Sequence, residues 1–223
     1  MKCILLGGSG EVGQAVARAL LKSSVCSHLT MIGRRSMDVF QDVPKVEQIV
    51  VDTCDSEFEN VVKEKATGCD VAISCLGIGS GTATMSEAEM MAVEVTLVGK
   101  FARGCWAAGI QSFELLTAAG VSEHSATSRI KYLRVLGKKL HTVLEIGFKK
   151  VAVFKPGMIV GNAHTPLWMT LFTALIPDGF GFGNIRQEEL AQAFVAHLET
   201  QLHRQTPPVV YYGNKEMKQL VRG

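Results

Sequence analysis

The stretch that most constrains this chain is residues 2–21, KCILLGGSGEVGQAVARALL. A short apolar run leads straight into a glycine-rich turn. An amphipathic helix, predicted over about residues 11–23, starts at once. Gly7, Gly10 and Gly13 stand at three-residue spacing, and Gly8-x-Gly10-x-x-Gly13 matches the dinucleotide fingerprint. One glycine turns the chain sharply after a strand, a second lets the backbone approach a pyrophosphate, and a third lets the helix lie close to the strand. The free N–H groups of the first helical turn and the positive end of the helix dipole then hold the anion. A strand-to-helix turn with no ligand would carry the same glycines. The strand before and the helix after favour nucleotide binding.

The rest of the chain repeats the alternation. Residues 29–33 (LTMIG) read as a second strand, ending in Arg34-Arg35. In a dinucleotide fold that strand end lies beside the adenosine ribose. An acidic residue there accepts hydrogen bonds from the 2′-hydroxyl of NAD, whereas arginine accommodates the 2′-phosphate of NADP. Two arginines and no acid stand there, so NADP is expected over NAD. Residues 46–51 (VEQIVV) form a third strand closed by Asp52, which either contacts adenine or caps the next turn. Ser56-x-x-Glu59 reads as a capping box opening a helix to about residue 65.

Residues 70–76 (DVAISCL) are apolar on both faces, as a buried parallel strand should be. Gly77 follows, where a missing side chain lets backbone pass close to a cofactor. Ser86-x-x-Glu89 is a second capping box, beginning a long helix to about residue 108 with Met90, Val93, Leu97, Val98 and Phe101 near helical spacing. A fifth strand (113–116) leads into Thr117-Ala118-Ala119-Gly120. A helix is predicted over about 129–146 and a sixth strand over 151–154, ending in Lys155-Pro156-Gly157. Residues 158–186 show little periodicity and read as a small substrate lobe or lid, with a short helix around 167–175, or as core packing of Trp168 and Phe172. A helix (187–200), a strand (209–212) and a closing helix (215–221) complete the chain. This is an α/β fold, a doubly wound parallel sheet of the Rossmann type, in one domain over residues 1–223. Its strand ends converge the glycine loop, Arg34, Asp52, Gly77, Thr117 and Lys155 on one crevice.

Bulk properties narrow the function. A net charge of +2 is too near balance to imply nucleic acid or a membrane surface. No apolar run reaches the roughly 18 residues of a transmembrane helix. The six cysteines include no C-x-x-C pair, and no histidine has a partner at ligand spacing, so no metal site is expected. Cysteines inside apolar runs indicate free thiols in a reducing compartment. The first strand begins at residue 2, leaving no room for a leader, so a cytoplasmic location is expected, with the nucleus as an alternative.

Taken together, GGSGEVG, IGRR, SCLG, YLRVLGK and FKPG resemble the short-chain dehydrogenase/reductase superfamily, more closely its atypical branch around the Tat-interacting-protein oxidoreductases. The similarity runs from residue 2 to the last helix. It implies an NADPH-binding fold in which Ser9, Gly10, Glu11 and Val12 contact the pyrophosphate region. It further implies that Arg34 and Arg35 hold the 2′-phosphate, that Leu76 and Gly77 meet the adjoining ribose, and that Tyr132 is the catalytic tyrosine. Chemistry in that superfamily needs a lysine four residues after the tyrosine, about 6 Å along the same helix face, to lower the phenol's pKa. Here that position is Leu136, followed by the expected Gly137. Lys139 lies about 10 Å along the axis. After the fifth strand, where the superfamily places serine, Thr117 can offer a hydroxyl and Ala118 cannot. The resemblance therefore leaves two readings. In the first, the chain is an NADPH-binding pseudoenzyme with a degraded catalytic set and a regulatory, redox-sensing or assembly-associated role, with a protein partner or a homodimer. In the second, it is an active carbonyl or quinone reductase using Tyr132 and Thr117, with Lys139 or Lys155 partly replacing the lost cation.

Overall fold

The apolar runs form strands stacked between two layers of amphipathic helices. The computed structural model describes residues 1–79, 82, 84–161, 183–203 and 207–222. Strands β1 (Lys2–Leu6), β2 (His28–Gly33), β3 (Val46–Val50), β4 (Val71–Ser74), β5 (Ser112–Leu116) and β6 (Lys150–Phe154) join the late strand β9 (Val209–Tyr212) in one sheet. All neighbours are parallel, in the order β3-β2-β1-β4-β5-β6-β9. The order reverses between β1 and β4: Leu5 of β1 is flanked by Met31 on one side and Ile73 on the other. Such a reversal opens a crevice beyond the strand ends, the position where this architecture binds ligands. Two short strands, β7 (Met158–Val160) and β8 (Asn184–Arg186), pair in parallel as a separate ribbon.

The helices are α1 (Glu11–Lys22), α2 (Phe58–Ala66), α3 (Glu87–Met91), α4 (Val98–Ala107), α5 (Lys131–Glu145), α6 (Gln187–His203) and α7 (Asn214–Arg222). One core layer packs Val16, Leu20, Phe194, Leu198 and Met217 of α1, α6 and α7 against Leu5, Ile73 and Phe154. Its centre is a ring stack, with Phe154 and Phe194 centroids 3.8 Å apart. The other layer packs Phe58, Val62, Phe101, Leu136, Leu140 and Val143 of α2, α4 and α5 against Ile4, Phe113 and Val153.

Two local expectations need correction. Ser56 and Glu59 do not form a capping box. The α2 helix begins at Phe58, and Asp55 organises the turn ahead of it by accepting from the Glu57 N–H at 2.9 Å and the Ser56 hydroxyl at 3.2 Å. Glu59 instead pairs with Arg103 across to α4 at 3.0 Å. The Ser86–Glu89 box is present, but the long helix behind it is not uniform: residues Ala92–Leu97 form a π-helical turn between α3 and α4. The interior of the expected lobe, residues 162–182 with Trp168 and Phe172, lies outside the described residues.

Candidate functional site

The glycine turn is built as its spacing requires. Gly7 has φ +87°, and a Cβ there would sit 2.6 Å from the backbone nitrogen of Leu76. A Cβ on Gly13 would collide with the carbonyl oxygen of Gly7 and lie 2.9 Å from Gly8 Cα. The Gly10 N–H closes the turn on Gly7 O at 3.0 Å, and Gly10 then serves as N-cap of α1 with no side-chain cap. These contacts separate the glycines by role. Gly13→Ala is expected to lower the unfolding free energy by about 1–3 kcal/mol through overpacking. A Cβ on Gly10 would come no closer than 3.4 Å to a neighbouring atom, the Gly7 carbonyl oxygen. Gly10→Ala should therefore stay within about 1 kcal/mol of the parent. Urea denaturation of the two variants checks the difference.

A cavity of about 340 Å³ opens at the β1/β4 crevice. Gly7, Gly8 and Ser9 form its floor, Arg34 and Arg35 its mouth, and Leu76 one wall. Both arginines are exposed, and among the described residues neither guanidinium has a carboxylate partner. Their loop is held by Gln48 of β3, which accepts from the Met37 N–H at 2.7 Å and donates to Met37 O at 3.1 Å. The opposite wall is the π-helical turn, contributing Ala92, Val93, Thr96 and Leu97, with Lys100 beyond it. Thr53 and Cys54 line the cavity in the region expected for Asp52. The Asp52 carboxylate accepts the Cys54 N–H at 2.9 Å and so caps its turn.

The other expected residues, Glu11, Val12, Asp52, Gly77, Thr117, Tyr132 and Lys155, are not among those that line this cavity. Glu11 and Val12 lie in the first turn of α1. The Glu11 carbonyl accepts from the Gln187 side chain at 2.8 Å, and Val12 packs against the α1–α6 core layer. Gly77 follows Leu76 just outside the lining. Tyr132 sits in the first turn of α5, 38% exposed, and Thr117 follows β5. The Thr117 backbone N–H bonds to Phe154 O at 2.9 Å, but its buried hydroxyl has no partner among the described residues.

The electrostatics around Tyr132 run against a poised phenol. Partial burial, and secondarily the Glu94 carboxylate, push its pKa up from the ordinary value. Leu136 is 2% exposed and belongs to the apolar layer against the sheet. Lys155 packs over the Tyr211 ring at 4.9 Å and donates to Val121 O at 3.4 Å. Lys139 is buried in an ion pair with Glu94, Nζ to Oε2 2.9 Å. Sequence reasoning missed Glu94 and this pairing. The available signal was charge at inward-facing helix positions: Glu94 lies four residues from both Met90 and Val98, and Lys139 lies between Leu136 and Leu140. A charge in such a stripe requires a partner.

The chain's likeness to known proteins agrees with this architecture. The model of the NAD(P)H-binding family matches residues 7–142. The chain belongs to that family. It is 31% identical to Protein HTATIP2 of Rattus norvegicus over 186 residues, covering 80% of this chain and 73% of that protein. That match bears out the resemblance read from the motifs. It is 26% identical to Protein FMP52-2, mitochondrial, of Scheffersomyces stipitis over 160 residues, covering 71% of this chain and 66% of that protein. In fold it is similar to the oxidoreductase ylbE from Lactococcus lactis, with TM-score 0.71 and 14% identity, covering 100% of this chain and 98% of the other. Family membership fits the cleft. The glycine floor leaves room for a pyrophosphate, and the unpaired guanidiniums at the mouth suit an anion. No helix among the described residues is long and apolar enough to cross a membrane.

Proposed function

We propose that this chain binds NADPH in preference to NADH and holds it with little or no carbonyl reduction, as a regulatory or redox-sensing ligand. The observation that carries this reading is Leu136. Where the superfamily's chemistry calls for a cation, an apolar side chain is built into the core, so the change cannot be reversed by a rotamer. Supporting it, the phenol of Tyr132 is shifted away from neutrality, and a tyrosine pKa of about 10 would have to fall by about 3 units to be poised there. Arg34 and Arg35 would hold the 2′-phosphate as charge-assisted donors, with Ser9 and the α1 N-terminus at the pyrophosphate and Leu76 and Gly77 beside the ribose. Bound NADPH would carry a transferable hydride, and these residues would fix its orientation.

The exposed Trp106 on α4 supports association with a second copy or a protein partner. All six cysteines are free, which supports a reducing compartment, cytoplasmic or nuclear. The mitochondrial name of the Scheffersomyces stipitis relative makes the organelle the comparison to test with a tagged chain.

A second reading, an NADPH-dependent carbonyl or quinone reductase, draws on one observation. The buried, unpartnered Thr117 hydroxyl is free to donate to a substrate oxygen. Titration of NADPH and NADH, followed by cofactor oxidation with a carbonyl and quinone panel, separates the two. Saturable NADPH binding is expected, with turnover no greater than that of Tyr132→Phe. Turnover that Tyr132→Phe abolishes would establish the reductase, and failure to bind either cofactor would overturn both.

A further inference from the structure

Beyond β4 the chain leaves the sheet, and the peptide groups of residues 76–78 lose their ladder partners. Two buried charges take over. Lys139 Nζ donates to Leu76 O at 2.8 Å, and the Ile78 N–H donates to Glu94 Oε1 at 2.9 Å. The two side chains close on each other through Nζ to Oε2 at 2.9 Å, at 1% and 3% exposure. One bridge therefore ties α5, the π-helical turn and the strand-end loop.

We infer that Glu94 and Lys139 are positioning residues for the dinucleotide: they set the width of the cleft by fixing its two facing walls. The inference rests on the NADPH-binding reading above. The geometry is specific on each side. Leu76 forms one wall, and its nitrogen lies 2.6 Å from where a Gly7 side chain would begin, so the loop is pressed against the glycine turn. Glu94 reaches inward from the π-helical turn, whose neighbours Val93 and Thr96 form the other wall. A π-helical turn inserts an extra residue into a helix and occurs often at functional sites. Here it carries a carboxylate to the loop backbone while its flanking residues face the cavity.

A buried ion pair is poor evidence of stabilisation by itself, because desolvation offsets the attraction. Its value here is geometric. An apolar pair of the same volume would leave Leu76 O and the Ile78 N–H without partners. The pair also commits the Lys139 ammonium to Glu94 and Leu76 O, which removes it as a stand-in for the missing cation beside Tyr132.

The decisive variant is the apolar pair Glu94→Met/Lys139→Met. Replacing both charges avoids a lone buried ion, so the fold is retained. Three quantities are read on the full chain: melting temperature, the NADPH Kd of the folded protein, and hydrogen-exchange protection of the Ile78 amide. The expected result is a melting temperature close to the parent's, an NADPH Kd raised at least about tenfold, and lost protection at Ile78. Lys139→Met alone should melt much earlier, because it strands the Glu94 charge. A folded double variant with unchanged Kd and protection would overturn the inference while leaving NADPH binding intact. Failure of the parent to bind NADPH would instead overturn the reading it rests on, and this inference with it.

Discussion

Replacing Arg34 and Arg35 together with alanine is expected to abolish the preference for NADPH and weaken its binding by about a hundredfold, with NADH affinity held within about threefold. The size follows from the geometry. Hydrogen bonds to charged groups contribute roughly 1.5–3 kcal/mol each, and 1.4 kcal/mol is a factor of ten. Both side chains stand exposed at the cleft mouth. Solvent and salt therefore take a share, and about 3 kcal/mol for the pair is the reasonable total. The loss should shrink as ionic strength rises. Single arginine-to-lysine changes should retain less than half of the binding contribution, because an ammonium cannot reproduce the planar fork. Calorimetric titration of both cofactors at two salt concentrations tests this. A double variant that weakens NADH and NADPH equally would show that the arginines shape the loop and do not read the 2′-phosphate.

The second large effect concerns stability and pH. Glu114 of β5 is completely buried, and among the described residues neither carboxyl oxygen has a hydrogen-bond partner. Burial pushes its pKa well above the ordinary carboxylate value and favours the neutral acid. On the same face of the sheet, His197 bonds through Nδ1 to Tyr212 Oη at 2.9 Å. Its burial, aided by the positive charge of Lys150, pulls the imidazole down to about 4. The two residues act in opposite directions. Glu114 has a raised folded pKa, so its contribution is fully present below about pH 4.3. It is lost at about 1.4 kcal/mol per pH unit above that, until the folded pKa is reached. His197 has a depressed folded pKa, so its contribution is fully present above about pH 6.5. It is lost as pH falls toward the folded value, about 3 kcal/mol in all.

Between about pH 4.3 and 6.5 the two slopes oppose each other, and the parent should look nearly flat. Glu114→Gln unmasks the histidine: stability should climb with pH through this window and then level off. His197→Gln unmasks the carboxyl: stability should fall as pH rises through this window. Urea unfolding at a series of pH values reads the slopes, which are insensitive to any constant cost of either substitution. Identical slopes for parent and Glu114→Gln between about pH 4.3 and 6.5 would mean that burial does not raise the Glu114 pKa.

The parts legible in the sequence are those governed by local rules. The glycine spacing, the LTMIG run into Arg34-Arg35, and the alternation of strands and helices each follow from steric or periodic constraints within a few residues. Late strand β9 has the bounds its sequence proposes, Val209–Tyr212. What escaped was long-range or phase-dependent. The π-helical turn slips the count of a 3.6-residue period, so a stripe through Met90, Val93 and Leu97 looked regular while Glu94 turned inward. The Lys139–Glu94 contact spans 45 positions, and no local window links them. At Ser56 the capping pattern was real but lost to a competitor: Asp55, one residue earlier, offers a charged acceptor to the same turn. Asp52 belongs to the same class, since an aspartate at a strand end serves a turn or a ligand equally well until its partner is seen.

The arginine loop is fastened by Gln48, and Gln48 belongs to β3, the outermost strand of the sheet, whose Val50 is 59% exposed. Edge strands are where a sheet begins to open. A phosphate held at Arg34 and Arg35, as proposed, would restrain more than its own pocket: through two hydrogen bonds to one glutamine it would stitch down the border of the sheet, as a hem keeps a weave from unravelling.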